Sequence, residues 1–424
     1  MLAANAHPQV VKYGPPYNGA AHRFMNSLII LATGFLVMFV GSGARFAFGL
    51  TLKPMSEEFA LGRGMLGTTV AVYFAVTAVF MFLSGRLIDR FDPRVVLAWG
   101  LGISAAGIGL IGWAGAPWHL FVLYGVVFGI GNGIASITPV SIMVTRLYPE
   151  RAGAANGLIS AGMSAGQLFM IAAMAFVLVG IGWRSIYVWL AVAHLVLLPL
   201  LLLIPKGAGS AKQSPMSMAG GSAPAPDGLS LREASRTRRF WLLLLVYSIC
   251  GLDDFFVSTH IVAFAQDKGI DTLLAGNLLA LMGLTALLGV VWSGLWSDRY
   301  GLLRPMLACF LLRIASFGLI MANQSKLAVL VFTVVFGITF LMTAPLTVIA
   351  VRNAFGNRHL GTISGFVIMA HHACGGLGAW LGGFVFDAAG EYDVAFGIML
   401  VSSVVAVWAT LALGRENIEG RARP

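Results

Sequence analysis

Residues 85–94 read GRLIDRFDPR, five charges in ten positions of a chain in which Asp, Glu, Lys and Arg make up only 10%. Continuous apolar runs flank this knot, TTVAVYFAVTAVFMFLS at 68–84 and VVLAWGLGISAAGIGLIGWAG at 95–115. A loop that short between runs that long reads as a turn joining two membrane-crossing helices, since about 20 apolar residues cross a hydrocarbon core of roughly 30 Å. Working outward, the same texture recurs twelve times, at about 28–52, 65–88, 95–114, 119–143, 153–181, 184–204, 240–265, 273–296, 303–322, 327–351, 360–386 and 393–413. With 58% hydrophobic residues and a mean hydropathy of +0.87, the composition is that of a polytopic membrane protein. The runs are continuous rather than alternating, and a helix satisfies its own backbone in lipid, so the expectation is all-α rather than a barrel. The polar start, residues 1–24, does not read as a signal peptide.

The net charge of +10 could suggest a nucleic-acid partner, but its distribution argues otherwise. With the N-terminus cytoplasmic, all but seven of the 27 Lys and Arg fall on the termini and the even-numbered, cytoplasmic loops. Lys53, Arg63, Arg184, Lys268 and Lys326 lie on the other side, and Arg45 and Arg313 lie within spans. That is the positive-inside rule for a plasma (inner) membrane protein with both termini cytoplasmic, and it needs no acidic partner. Cys250, Cys309 and Cys374 fall within spans at no metal-ligand spacing, so they read as packing residues. No metal and no cofactor is expected. No Walker motif and no nucleophile–base constellation is visible, which argues against an ATP-driven pump and against a membrane enzyme.

After Pro205 the chain turns to KGAGSAKQSPMSMAGGSAPAPDGLS, a composition that cannot build a core and reads as a flexible cytoplasmic linker. LREASRTRR, the next stretch at 231–239, has the pattern of a short basic amphipathic helix on an anionic leaflet. The expected organisation is a six-helix bundle over 1–204, a linker over 205–239 and a second six-helix bundle over 240–424. The halves repeat. SGRLIDRFDPR at 84–94 is echoed by SGLWSDRYGLLR at 293–304 at an offset of 209. Pro139 and Pro345 lie 206 apart, and Arg151 and Arg358, each opening the next span, lie 207 apart. A shared period near 207 marks a duplicated six-helix unit.

Gly85-Arg86-Leu87-x-Asp89-Arg90-x-x-x-Arg94, repeated after span 8, resembles the loop signature of the major facilitator superfamily. Span count, loop positions and repeat extend the resemblance over nearly the whole chain. It implies two pseudo-symmetric six-helix bundles around a central cavity that opens alternately to each side. It also implies a conformational gate at Gly85, Asp89, Arg90 and Arg94, with Asp298 and Arg299 as counterparts. In that reading Gly85 permits close helix approach, and Asp89 meets a neighbouring helix terminus, which favours a carboxylate by about 0.3–1 kcal/mol. Interactions of this kind, broken when the bundles rock, would bias the equilibrium between states.

Within the superfamily, ARFAFGLTLKPMSEEF at the end of span 1, TPVSIMVTRLYPERAGAANGLISAGMSAGQL across spans 4 and 5, and GTISGFVIMAHHACGGLGAWLGGFVFD in span 11 are similar to the monocarboxylate and oxalate–formate branch. The Gly-Pro signature of proton-driven drug exporters is missing from span 5. One departure is plain: animal monocarboxylate carriers place an Asp and an Arg in span 8, and here span 8 carries no charge until Asp298.

Intramembrane polar residues supply the candidate site, because each mid-membrane charge costs about 2.5–3.5 kcal/mol on insertion scales. Arg45, about two turns before the expected end of span 1, offers a planar fork matched to a carboxylate; the bland alternative is an arginine snorkelling to the headgroups. Asp253 and Asp254 in span 7 are candidates for proton coupling, with a permanent ion pair to Arg45 or Arg313 as the alternative. Adjacent residues point about 100° apart, which assigns the two acids different roles, Asp253 sharing its face with His260. Arg313, in a span that the resemblance puts outside the cavity, is expected to be structural. Asn132, Gln167, His260, Thr343 and His371 complete the expected substrate-binding set. The function these residues imply is secondary active transport of a small organic anion, a monocarboxylate, by proton symport or anion exchange, the chain working as a monomer. The alternative is a proton-driven exporter of amphipathic compounds.

Overall fold

In a computed structural model, residues 19–148, 152–204, 206, 228–356 and 359–422 are described; all statements below refer to them. They are almost entirely helical. We label the crossings α1 (Gly19–Phe59), α2 (Arg63–Arg90), α3 (Pro93–Leu110), α4 (Pro117–Leu120, a π-helical stretch Phe121–Phe128, Gly129–Ile134 and, after a break, Ile137–Leu147), α5 (Ala152–Ile181) and α6 (Trp183–Leu201). The second set is α7 (Arg238–Asp267), α8 (Thr272–Tyr300), α9 (Leu303–Ala322), α10 (Lys326–Phe340 and, after a break, Ala344–Phe355), α11 (Leu360–Ala389) and α12 (Asp393–Ala422). Eleven stretches are long and apolar enough to cross a membrane; the first piece of α10, Lys326–Phe340, is apolar but shorter.

The two breaks have one cause. A proline lacks the N–H that would bond four residues back. For Pro139 and Pro345 those positions are Ala135 and Leu341, and there α4 and α10 leave helical geometry. The duplication is equally plain in the packing. In the first half α1 lies against α5, α2 against α4, and α3 against α4 and α6. In the second half α7 lies against α11, α8 against α10, and α9 against α10 and α12. Between the halves, α2 runs along α11 and α8 along α5, one interface and its symmetry mate, while α1 meets α7.

The loop between α2 and α3 is a two-residue turn, Phe91 and Asp92. Asp92 caps α3, accepting from the Arg94 backbone N–H at 3.0 Å, with Pro93 at the first helical position, where its missing N–H costs nothing. Arg94 returns its guanidinium to Asp92 at 3.2 Å and to the Ile204 carbonyl at 3.2 Å, which ties this loop to the end of α6 inside its own half. A Cβ on Gly85 would meet Thr138 and Ile142 at 3.8 and 3.9 Å, ordinary van der Waals separations, so the expected close approach is not there. The side chains of Asp89 and Asp298 lie outside the described residues, and Arg90 and Arg299 are exposed.

Residues 207–227 of the expected linker also lie outside the described residues. The segment 231–239 differs from the basic surface helix expected there. Leu231–Ala234 is a single helical turn closed by a Ser230–Glu233 capping box, and Arg238 and Arg239 already open α7. Leu229 N–H bonds the Phe355 carbonyl at 2.9 Å, and Ala234 is buried against the second half, so apolar docking onto the end of α10 governs this segment.

Candidate functional site

α1 runs seven residues past its expected end at 52, through Pro54 to Phe59. Arg45 therefore lies roughly 20 Å from that end at 1.5 Å per residue. Its guanidinium stands over the rings of Phe46 at 4.4 Å and Phe255 at 5.0 Å, the second contributed by α7 of the other half. Among the described residues no carboxylate lies within ion-pair distance of it, and its buried Nε has no hydrogen-bond partner. A cavity of about 10 Å³, with room for roughly one water, adjoins it. Phe46, Phe48, Val70, Phe74 and Tyr124 wall the cavity, with Ser258 and Thr259 as its hydroxyls. Tyr124 O–H donates to the Arg45 carbonyl at 2.9 Å and steadies the backbone there.

Arg313 presents the opposite picture. Fully buried, it sends its Nε to the Thr339 hydroxyl at 3.2 Å and its terminal nitrogens to the carbonyls of Cys250 and Thr339, each at 3.2 Å. It meets Asp253 at 3.5 Å and Asp254 at 2.5 Å. The two acids, expected to serve different roles because their side chains diverge, share one partner: a guanidinium is wide enough to bridge a 100° divergence. Asp253 also accepts from Ser402 and Ser403, each at 2.9 Å. The Thr339 carbonyl, at the end of the first piece of α10, accepts from Arg313 as well as from the Met342 backbone N–H.

His371 donates from Nδ1 to the Tyr247 carbonyl at 3.0 Å, which leaves the Nε2 lone pair free in the neutral ring. Cys250, Asp254 and His371 bring three donor atoms within 4.8 Å of one another, the one such group among the described residues. A metal there would compete with Arg313 for Asp254 and sit beside its positive charge, so the donor set fits a cation poorly.

The remaining expected ligands fall elsewhere. Asn132 joins Tyr73 O–H at 3.1 Å to the Gly41 carbonyl at 3.4 Å, within the first half. Gln167 donates to the Leu279 carbonyl at 3.1 Å across the α5–α8 interface. Thr343 sits at the α10 break with its hydroxyl 3.1 Å from the Cys250 sulfur. His260 is removed from the Arg45 cavity: Nε2 donates to the Ala379 carbonyl at 2.7 Å, and Nδ1 accepts from Tyr392 O–H at 3.1 Å.

That last bond belongs to a cluster at the end of the molecule opposite the linker, which the sequence pattern does not single out. Arg63 of α2 takes Asp267 of α7 with both terminal nitrogens, at 2.5 and 3.0 Å, and donates to Tyr392 O–H at 2.9 Å. Its guanidinium lies 3.7 Å over the Phe386 ring. Lys53 reaches the same Asp267 at 2.9 Å. Asp387 of α11 accepts from the Arg63 and Gly64 backbone N–H groups at 2.7 Å each, so the start of α2 is capped from the other half. Burial pushes the Tyr392 phenol up, so it stays neutral and passes the hydrogen bond from Arg63 on to His260. A signal for this cluster was present: Lys53, Arg63 and Arg184 are bases on the side where few are expected, and each holds an acid, Arg184 taking Glu58.

Comparison with known proteins agrees with this architecture. The sequence model of the Major Facilitator Superfamily matches residues 34–276 and 243–423. Monocarboxylate transporter 13 of Rattus norvegicus is 22% identical over 370 residues, 87% of this chain and 84% of the relative. The oxalate:formate antiporter of Oxalobacter formigenes is 24% identical over 294 residues, covering 67% and 66% of the two chains. Among solved structures, the nucleoside transporter NupG superposes with a TM-score of 0.75 over 92% of this chain and 99% of that one, at 14% identity, a likeness of fold.

Proposed function

The chain belongs to the Major Facilitator Superfamily, and from that premise we propose that it carries a small organic anion, a monocarboxylate, by proton symport or anion exchange, through alternating access. One observation carries the reading: Arg45, where α1 faces α7 of the other half, is a guanidinium whose neighbours are ring faces rather than carboxylates. A half-buried charge without a partner is costly, and a carboxylate seated on the fork would neutralise it with two charge-assisted bonds. The names of the monocarboxylate and oxalate:formate relatives support an anionic cargo.

Coupling is assigned to the Asp253–Asp254–Arg313 cluster. Two carboxylates against one guanidinium leave one negative charge over, and a single proton makes the cluster neutral. Cys250, Cys309 and His371 are the other titratable groups packed around Asp254, with Arg45 beyond them. The far-end cluster closes one access route, and opening it would require Arg63 to leave Asp267. We place the bundles at 1–204 and 240–424 about the 205–239 linker, in a monomer of the inner membrane with both termini cytoplasmic.

The test is uptake into proteoliposomes. Arg45→Gln should cut carboxylate uptake at least about 30-fold and leave the unfolding temperature close to that of the parent; unchanged kinetics would remove Arg45 from the site. Asp253→Asn and Asp254→Asn, taken one at a time, should identify the acid whose loss flattens the pH dependence of uptake. If both variants keep it, the coupling assignment falls.

A further inference from the structure

An anion site fixes a charge and leaves the rest of the cargo open; the aromatic surroundings of Arg45 narrow it, on the premise that Arg45 does seat an anion. Phe255, the α7 ring beneath the guanidinium, stacks on Phe74 of α2, with centroids 4.1 Å apart and planes at 28°. The stack joins the two halves directly beside the cavity. His371 and His372 stand behind Phe255 with ring centroids at 5.4 and 5.6 Å.

We propose that Phe74 and Phe255 are specificity-determining residues that select a monoanion with a flat apolar body, an aryl carboxylate such as benzoate. They would discriminate against a dianion such as oxalate and against short hydrophilic acids. Three facts carry this. The cavity has room for roughly one water and Phe74 is part of its wall, so seating a larger carboxylate on Arg45 moves that wall, and Phe74 is stacked on the Phe255 ring that underlies the same guanidinium. Parting that stack bares two ring faces, and a flat apolar group covers both again, whereas a hydrophilic one leaves them against polar groups. A second carboxylate on the cargo would find no second cation, because Arg313 is held by two acids of its own. It would face the aromatic walls of the cavity.

The experiment is uptake of labelled benzoate and labelled acetate by proteoliposomes, with unlabelled oxalate as competitor. Benzoate should half-saturate uptake at a concentration at least about tenfold below acetate, a difference of about 1.4 kcal/mol. Oxalate at the same concentrations should not compete. Phe255→Ala and Phe74→Ala should reduce the benzoate preference to about threefold or less, read as the ratio of the two half-saturating concentrations within each variant. Phe255→Leu, which keeps most of the packing volume, serves should the alanine variant fail to fold. Oxalate competing as well as benzoate, or a preference unchanged in the folded variants, overturns the proposal and leaves the anion reading standing. Absence of uptake of every carboxylate by the folded parent protein overturns both.

Discussion

Arg45 and Arg313 are both deep in the membrane-spanning region, one in each half, and the chain treats them in opposite ways. Arg313 is saturated: two carboxylates, two carbonyls and a hydroxyl receive its guanidinium, and helix α10 breaks where it donates. Arg45 is left with ring faces and an unbonded Nε beside a small cavity. A buried charge that serves the scaffold is expected to be paired within the protein. One that serves a ligand is expected to be left short by what the ligand brings. The contrast predicts that removing Arg313 damages folding as well as coupling, whereas removing Arg45 damages transport alone.

The largest effect falls on Arg313. Arg313→Leu strands two buried acids and should cost about 3–5 kcal/mol, seen as a collapse of folded yield and of the unfolding temperature in detergent. Removing the acids as well, in Arg313→Leu with Asp253→Asn and Asp254→Asn, should recover much of that loss, since an apolar replacement of a whole buried charge cluster is often near neutral. A single variant as stable as the parent would break the comparison.

Arg45 should show the reverse. Arg45→Lys keeps the charge and loses the planar fork, so uptake should fall by roughly tenfold, against at least about 30-fold for Arg45→Gln, where a bond to a charged group worth about 2 kcal/mol is lost. Neither change should lower stability by more than about 1 kcal/mol, because no partner is stranded. Equal losses in the two variants would show that charge alone matters and would discard the fork.

A third arginine lies between these cases. Arg63 is paired, but across the halves and near the rim, where Asp267 keeps 24% exposure and solvent screens the bond. Its pairing is therefore one that rocking could break. Asp267→Asn should favour opening at that end by about 1 kcal/mol, roughly fivefold. The readout is alkylation of a cysteine placed at the cavity, Ser258→Cys, by an impermeant reagent added from the far side, with native cysteines as background. An unchanged rate would reduce the cluster to surface decoration.

How far the sequence reaches is clear from these residues. The crossings were legible because a membrane demands long apolar runs, and the duplication because Pro139 and Pro345 repeat at the period of the halves; that the same two prolines break α4 and α10 was not read. Arg45 and the two acids were legible because charge inside a span is expensive. The sharing of Arg313 was not: its partners are 59 and 60 positions away, and helix angles are silent on how far a guanidinium reaches. Arg63 and Asp267 are 204 residues apart and Arg63 and Asp387 are 324, so only the assembled halves reveal them. The end of α1 was read too early because Lys53-Pro54 looks like a stop. A helix tolerates the one bond Pro54 removes when its continuation is packed, and here Met55 is fully buried while Lys53 holds Asp267.

The smallest effect tests the backbone under Arg45 rather than its charge. Tyr124 donates its hydroxyl to the Arg45 carbonyl, and Phe48 packs on the same ring with centroids 4.4 Å apart. Tyr124→Phe removes the hydrogen bond and keeps the ring, at a cost of about 0.5–1.5 kcal/mol. If the bond only stabilises the fold, the unfolding temperature drops slightly and the KM for the carboxylate is untouched. If it holds the guanidinium in register with the cavity, KM rises about two- to threefold at constant maximal rate, because a loosely held fork binds the anion less well without altering the transport step. A KM shift with no stability change would place Tyr124 with Arg45 as part of the binding apparatus. The opposite pattern would return it to the scaffold, beside Arg313.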